Sequence, residues 1–200
     1  PASGVVPGLT PLFWGVCLSH PAAGAVEYCT FEDAPCLGLG GQTPPIWGCR
    51  FGGCWNGIVD ATAESPARII DNCLFRDIAA DAVYTCSEQL MEVRNCTFFR
   101  SQVGIDLPLH LPLERKYKVR NCIFTECMGC GIWAYTSDHA PSSLEENHNC
   151  FYRNGSNANF TELSGTDLLP TAPGIRFENT ESPDLYERFY LDQDLSPCVD

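Results

Sequence analysis

Two hundred residues, 44% of them hydrophobic, are enough to bury one sizeable core. With 25 acidic against 12 basic residues the formal charge is −13, and no basic cluster exceeds Arg115, Lys116 and Lys118, so a phosphate-binding surface is excluded and no nucleic-acid partner is expected. No uninterrupted apolar run of about 18 residues occurs, so no membrane span is expected, and 17 glycines with 15 prolines favour turns over helices.

The chain opens without Met or a basic-then-apolar leader, and Pro7, Gly8 and Pro11 break the segment leading to Val16. The expectation is a processed domain or a module cut from a longer chain. From Cys29 onward a unit recurs, written as Cys, any residue, then an aromatic. The six instances are Cys29-Thr30-Phe31, Cys49-Arg50-Phe51, Cys73-Leu74-Phe75, Cys96-Thr97-Phe98, Cys122-Ile123-Phe124 and Cys150-Phe151-Tyr152, spaced by 20, 24, 23, 26 and 28 residues. Asn72, Asn95, Asn121 and Asn149 stand directly before four of these triplets. An aliphatic residue lies two places before the Asn at Ile70, Val93 and Val119. Each later unit also carries a small residue followed by an aliphatic one: Gly57-Ile58, Ala82-Val83, Gly104-Ile105 and Gly131-Ile132.

Side chains alternate along a strand, so Cys and the aromatic share an inward face while the residue between them faces water. Each unit therefore holds three short strands: one with Gly-Ile, one ending before the Asn, and one with Cys-x-Phe. Strands this short need partners, and stacking the units about 4.8 Å apart makes three parallel sheets around one core. Cysteines and rings then form internal ladders, and the Asn residues form an asparagine ladder at a turn, where Asn tolerates left-handed backbone. A leucine-rich horseshoe lacks its leucines here, and a propeller blade needs a longer unit. The repeat fades after residue 163. The segment 164–200 keeps apolar residues such as Ile175, Phe177 and Leu185 but also Pro170, Pro173 and Pro183, and is expected to lie irregularly along the outside of the coils.

These elements resemble the right-handed parallel β-helix family, which includes pectate lyases and many secreted bacterial repeat proteins. Trp14-Gly15-Val16 with Val26-Glu27-Tyr28-Cys29 is similar to an early coil of surface members, and Leu195-Ser196-Pro197-Cys198-Val199-Asp200 resembles a closing segment. The resemblance implies an all-β solenoid of about six to seven coils over residues 1–163 and an extracellular or cell-surface location. It implies little about activity, since one fold hosts lyases, hydrolases, adhesins and scaffolds.

Turns of unequal length mark the place for function. The long loops at Leu109 to Lys116 and Ser137 to Ser143 fall on consecutive coils and carry His110, Glu114, Asp138 and His139. Beside them, Tyr84, Asp106 and Trp133 take outward positions on the Gly-Ile sheet, with Tyr135 just beyond. Flat rings pack on pyranose faces and acids grip hydroxyls, so these four are the candidate carbohydrate-binding residues. The alternative is an ordinary surface covered by the C-terminal segment. Asp81, Asp106 and Asp138 are the weak catalytic candidates, because glycoside hydrolysis needs two spaced carboxylates. No complete lyase or hydrolase motif accompanies them.

Thirteen cysteines suggest an oxidising compartment, yet the count is odd. The six ladder cysteines are expected as buried thiols, while Cys36 and Cys54, in the same turn of consecutive coils, are the disulfide candidate. Cys127-Met128-Gly129-Cys130 has metal-ligand spacing but no second pair, and the histidines at 110, 139 and 148 match no carboxylate, so no metal site is expected. No cofactor is implied; Ca²⁺ is the one ion that such acidity would admit. Three glycosylation sequons begin at Asn95, Asn154 and Asn159; of these Asn95 is expected to be inaccessible and Asn154 to be the acceptor. The leading reading is a structural or adhesive module touching polysaccharide. A polysaccharide lyase or glycoside hydrolase is the first alternative, and a subunit stacking with copies of itself into a filament is the second.

Overall fold

The computed structural model describes residues 16–18, 24–35, 37–41, 44–60, 68–85, 91–107, 117–134, 144–160, 163 and 167. These residues form six coils of three strands each. The first coil holds β1 (Val16–Leu18), β2 (Val26–Glu27) and β3 (Thr30–Glu32), and the second holds β4 (Leu37–Gly41), β5 (Ile46–Trp47) and β6 (Arg50–Gly52). The third is β7 (Asn56–Asp60), β8 (Arg68–Asp71) and β9 (Leu74–Arg76), and the fourth β10 (Asp81–Thr85), β11 (Met91–Arg94) and β12 (Thr97–Phe99). The fifth is β13 (Val103–Leu107), β14 (Tyr117–Arg120) and β15 (Ile123–Thr125), and the sixth β16 (Cys130–Ala134), β17 (Leu144–Asn147) and β18 (Cys150–Tyr152). Every third strand joins the same sheet and every pairing is parallel, giving a solenoid of three six-stranded sheets.

Two columns fill the core along the third sheet. Phe31, Phe51, Phe75, Phe98, Phe124 and Phe151 stack ring on ring, with centroids 4.7–4.9 Å apart and planes within 8° of parallel. At Gly57, Gly104 and Gly131 the next coil's main chain and a ring together leave no room for a side chain: an added Cβ would come within 2.4–2.6 Å of a carbonyl of that coil. A Cβ on Gly57 would come within 2.9 Å of the Phe75 ring, and one on Gly104 within 2.7 Å of Phe124. Beside the rings stand the thiols of Cys29, Cys49, Cys73, Cys96 and Cys122, all free. Each thiol donates to a main-chain carbonyl, as Cys96 does to Arg94 at 3.1 Å.

Two corners of every coil require left-handed backbone. Tyr28, Gly48, Asn72, Asn95, Asn121 and His148 take the first, and Asp33, Gly53, Asp77, Arg100, Glu126 and Arg153 the second, all with φ between 52° and 61°. Asn tolerates this conformation at little cost. Along the first corner Asn121 Nδ2 donates to Asn95 Oδ1 at 3.4 Å, and Asn95 Nδ2 to Asp71 Oδ1 at 2.8 Å. Asn95 is exposed, contrary to the expectation that its sequon would be hidden.

The last coil departs from the expected ladder by one residue. Phe151, not Tyr152, pairs with Phe124, and Cys150 pairs with outward Ile123. His148 therefore occupies the turn assigned to Asn149, and Asn149 enters the thiol column fully buried. The cause is hydrogen bonding. The Cys122 N–H donates to Asn149 Oδ1 at 3.0 Å, Asn149 Nδ2 donates to the Val119 carbonyl at 3.0 Å, and the Asn149 N–H donates to Asp167 Oδ1 at 2.7 Å. Thiols in the other coils make the same two side-chain contacts at longer range, as Cys96 Sγ does in accepting from the Cys73 N–H at 3.5 Å and donating to the Ile70 carbonyl at 3.7 Å, so the amide replaces long sulfur contacts with short ones. Cys150, displaced from the column, is disulfide-bonded. The Cys36–Cys54 bridge is not made: Cys54 is a buried free thiol donating to the Gly52 carbonyl at 3.4 Å, and Cys36 lies outside the described residues. Of the 164–200 segment, only Asp167 is described. Leu163 packs against the core just before it.

One buried ion pair interrupts the apolar interior. Asp60 and Arg68, each almost fully buried, pair across the ends of β7 and β8. The neighbouring coil fills these two positions with Thr85 and Met91, and the next with Leu107 and Tyr117.

Two outcomes are expected in urea unfolding. Phe98→Ala should cost about 3–5 kcal/mol, because it leaves a cavity between two rings. Asp60→Ala should cost a similar ~3–5 kcal/mol by stranding a buried cation, whereas the double change Asp60→Leu with Arg68→Met should recover most of that loss.

Candidate functional site

On the first sheet, Ile58, Val83, Ile105 and Ile132 point inward and are completely buried. The residues after them face out, and register aligns Val59, Tyr84, Asp106 and Trp133 in one row across β7, β10, β13 and β16. Parallel pairing thus brings together three of the four candidate carbohydrate-binding residues, with Asp106 between the two aromatics. Tyr84 is half-buried and Trp133 is 39% exposed. Tyr135 and Asp138 lie outside the described residues, as do the long loops at 108–116 and 135–143.

Asp106 is unusual for an outward carboxylate. It is only 8% exposed, and its Oδ1 is buried with no hydrogen-bond partner. Burial, then repulsion from Asp81, pushes its carboxyl up to about 7. Asp81 opens β10, where its N–H donates to Asn56 Oδ1 at 3.1 Å, and burial raises its carboxyl as well. The two acids therefore sense each other, and Asp106 holds a proton across the mildly acidic range. A protonated carboxyl donates one hydrogen bond and accepts others, a combination suited to a hydroxyl and available without a charge partner.

Sequence reasoning missed one neighbour. Cys130, at the start of β16, shares a column with Asp81 and Val103. Its buried thiol donates to the Ile132 carbonyl at 2.9 Å and is pushed up to about 11, chiefly by burial and in part by Asp106. Aligning the Gly-Ile pairs one place further back would have placed it there. Among the described residues, no group of three or more His, Cys, Asp or Glu side chains gathers so as to hold a metal ion. Among the same residues no helix is long and apolar enough to cross a membrane. The Asn154 amide, expected to accept a glycan, instead donates to the Phe124 carbonyl at 3.0 Å and is partly buried.

The carboxyl makes a pH-dependent contribution whose sign is fixed. The native state binds the Asp106 proton more tightly than the unfolded chain does, so this contribution is fully present below about pH 4 and is lost as pH rises through about 7. Asp106→Asn, neutral at all pH, should gain stability relative to the parent on going from pH 5 to pH 8, with a limiting slope of about 1.4 kcal/mol per pH unit. Thermal melts of both proteins across that range test this, and parallel melting curves would refute it.

Comparison with known proteins adds one match. The family model described as Right handed beta helix region matches residues 70–180, more than half of the chain. No curated protein matches the sequence, and no solved structure matches it.

Proposed function

Since the chain belongs to the right-handed β-helix family, a fold that assigns no reaction by itself, we propose that it is an extracellular or cell-surface module that contacts polysaccharide through the outward row Tyr84, Asp106 and Trp133. The observation that carries this reading is a nearly buried carboxyl, with one oxygen unpartnered, set between two aromatic residues on adjacent coils. Rings two coils apart lie roughly 9–10 Å from each other at the strand spacing of a sheet. Two sugars separated by a third can stack on such rings while the middle one presents its hydroxyls to Asp106. The disulfide at Cys150 supports an oxidising compartment. Among the described residues, seven of the eight free thiols are buried, which protects them there.

Hydrolysis is the second reading, and one observation favours it. Asp81 and Asp106 repel each other, and the proton held by Asp106 near pH 7 is what a general acid requires. Stacking into filaments has less support, because Asp167 of the same chain already occupies the Asn149 corner of the last coil.

A panel of neutral and acidic polysaccharides at pH 5–8 separates these readings. Saturable binding that falls about tenfold or more in Trp133→Ala, without new reducing ends, is expected. Binding that Trp133→Ala leaves unchanged, or no binding to any glycan, would overturn the proposal. New reducing ends that vanish in Asp106→Asn would replace it with the hydrolase reading.

A further inference from the structure

The thiol column is independent of the carbohydrate row and has chemistry of its own. Five free thiols, Cys29, Cys49, Cys73, Cys96 and Cys122, repeat once per coil, and only Cys29 is exposed. Cys29 and Cys49 sit together at one corner. Cys29 Sγ donates to the Glu27 carbonyl at 3.3 Å, Cys49 Sγ to the Val26 carbonyl at 3.5 Å, and the Cys29 N–H donates to Cys49 Sγ at 3.4 Å. Each coil lies one strand spacing from the next, and the rings beside these two cysteines, Phe31 and Phe51, are 4.8 Å apart.

We propose that Cys29 and Cys49 form a linear two-sulfur site for a soft d¹⁰ cation of the Hg(II) type. Two metal–thiolate bonds of about 2.3 Å laid end to end span about 4.6 Å, which matches the strand spacing of about 4.8 Å that separates one cysteine of the column from the next. Soft sulfur ligands select soft metals. As each Sγ–metal bond forms, the Sγ–H bond breaks and its proton passes to water. No electron is transferred, and two thiolates cancel a 2+ charge, so the buried column gains no net charge. Zn(II) needs further ligands, and no group of three or more donors is present among the described residues. The rival pair, Cys127 and Cys130, is buried on both sides, whereas Cys29 gives access from solvent.

The test is titration of the full chain with Hg(II) in competition with glutathione, read by X-ray absorption at the mercury edge. The first equivalent should show two sulfur neighbours. Cys29→Ser, a change at an exposed position, should weaken binding about a hundredfold, and the double change Cys127→Ser with Cys130→Ser should leave it intact. Zn(II) at equal concentration should not compete. Three or more sulfur neighbours, unchanged binding in Cys29→Ser, loss of the first equivalent in the Cys127/Cys130 double variant, or displacement by Zn(II) would each overturn the site.

Discussion

Six phenylalanine rings held one strand spacing apart, face over face, set the register for the rest of the molecule. A strand of three residues has too few hydrogen bonds to fix its own position. Slipping it by one residue would turn every inward side chain out. A ring stacked on the ring before it removes that freedom, and Gly57, Gly104 and Gly131 let the chain pass close to it. The second sheet is tied to the third by a corner of two residues in every coil, whereas the turns from the first sheet to the second differ in length. The outward row of the first sheet is thus a by-product of packing inside: Tyr84, Asp106 and Trp133 are aligned because Val83, Ile105 and Ile132 are.

The same rule explains the last coil. There the ring is kept and the thiol is not, so Phe151 holds register while Asn149 takes the inward place. Asn154 does likewise one corner on, where its Oδ1 accepts from the Cys127 N–H at 2.9 Å. Asn159 forms a reciprocal pair with the main chain of Ala134. Side-chain amides supply both a donor and an acceptor to backbone groups that an added coil would otherwise engage. Phe160 and Leu163 then pack against the core beside them.

Much of this was legible in the sequence because periodicity survives wherever the ring and its neighbour agree. The three strands per coil, the parallel stacking and the outward row could all be read from recurrent Cys-x-Phe and Gly-Ile pairs. The final triplet misled for a physical reason: Cys150 stands where a thiol is expected, but the pattern cannot show that Asn149 makes shorter hydrogen bonds to the same backbone positions than sulfur does. Nor could the pattern show how deeply Asp106 is buried, since burial of an outward residue depends on neighbours distant in sequence. The Asp60–Arg68 pair was missed for a related reason. Its positions read as inward only after alignment with Thr85 and Leu107, and a charge there looks like solvent-facing chain.

Ring-to-ring magnetisation transfer in phenylalanine-labelled protein reports on the stacking most directly. If the coils pile in register, nuclear Overhauser contacts will run in an unbroken series from Phe51 to Phe75, Phe98 and Phe124, each ring touching only its two neighbours in that series. Contacts that skip a ring, or rings that exchange freely with solvent, would contradict the solenoid and the outward row built on it.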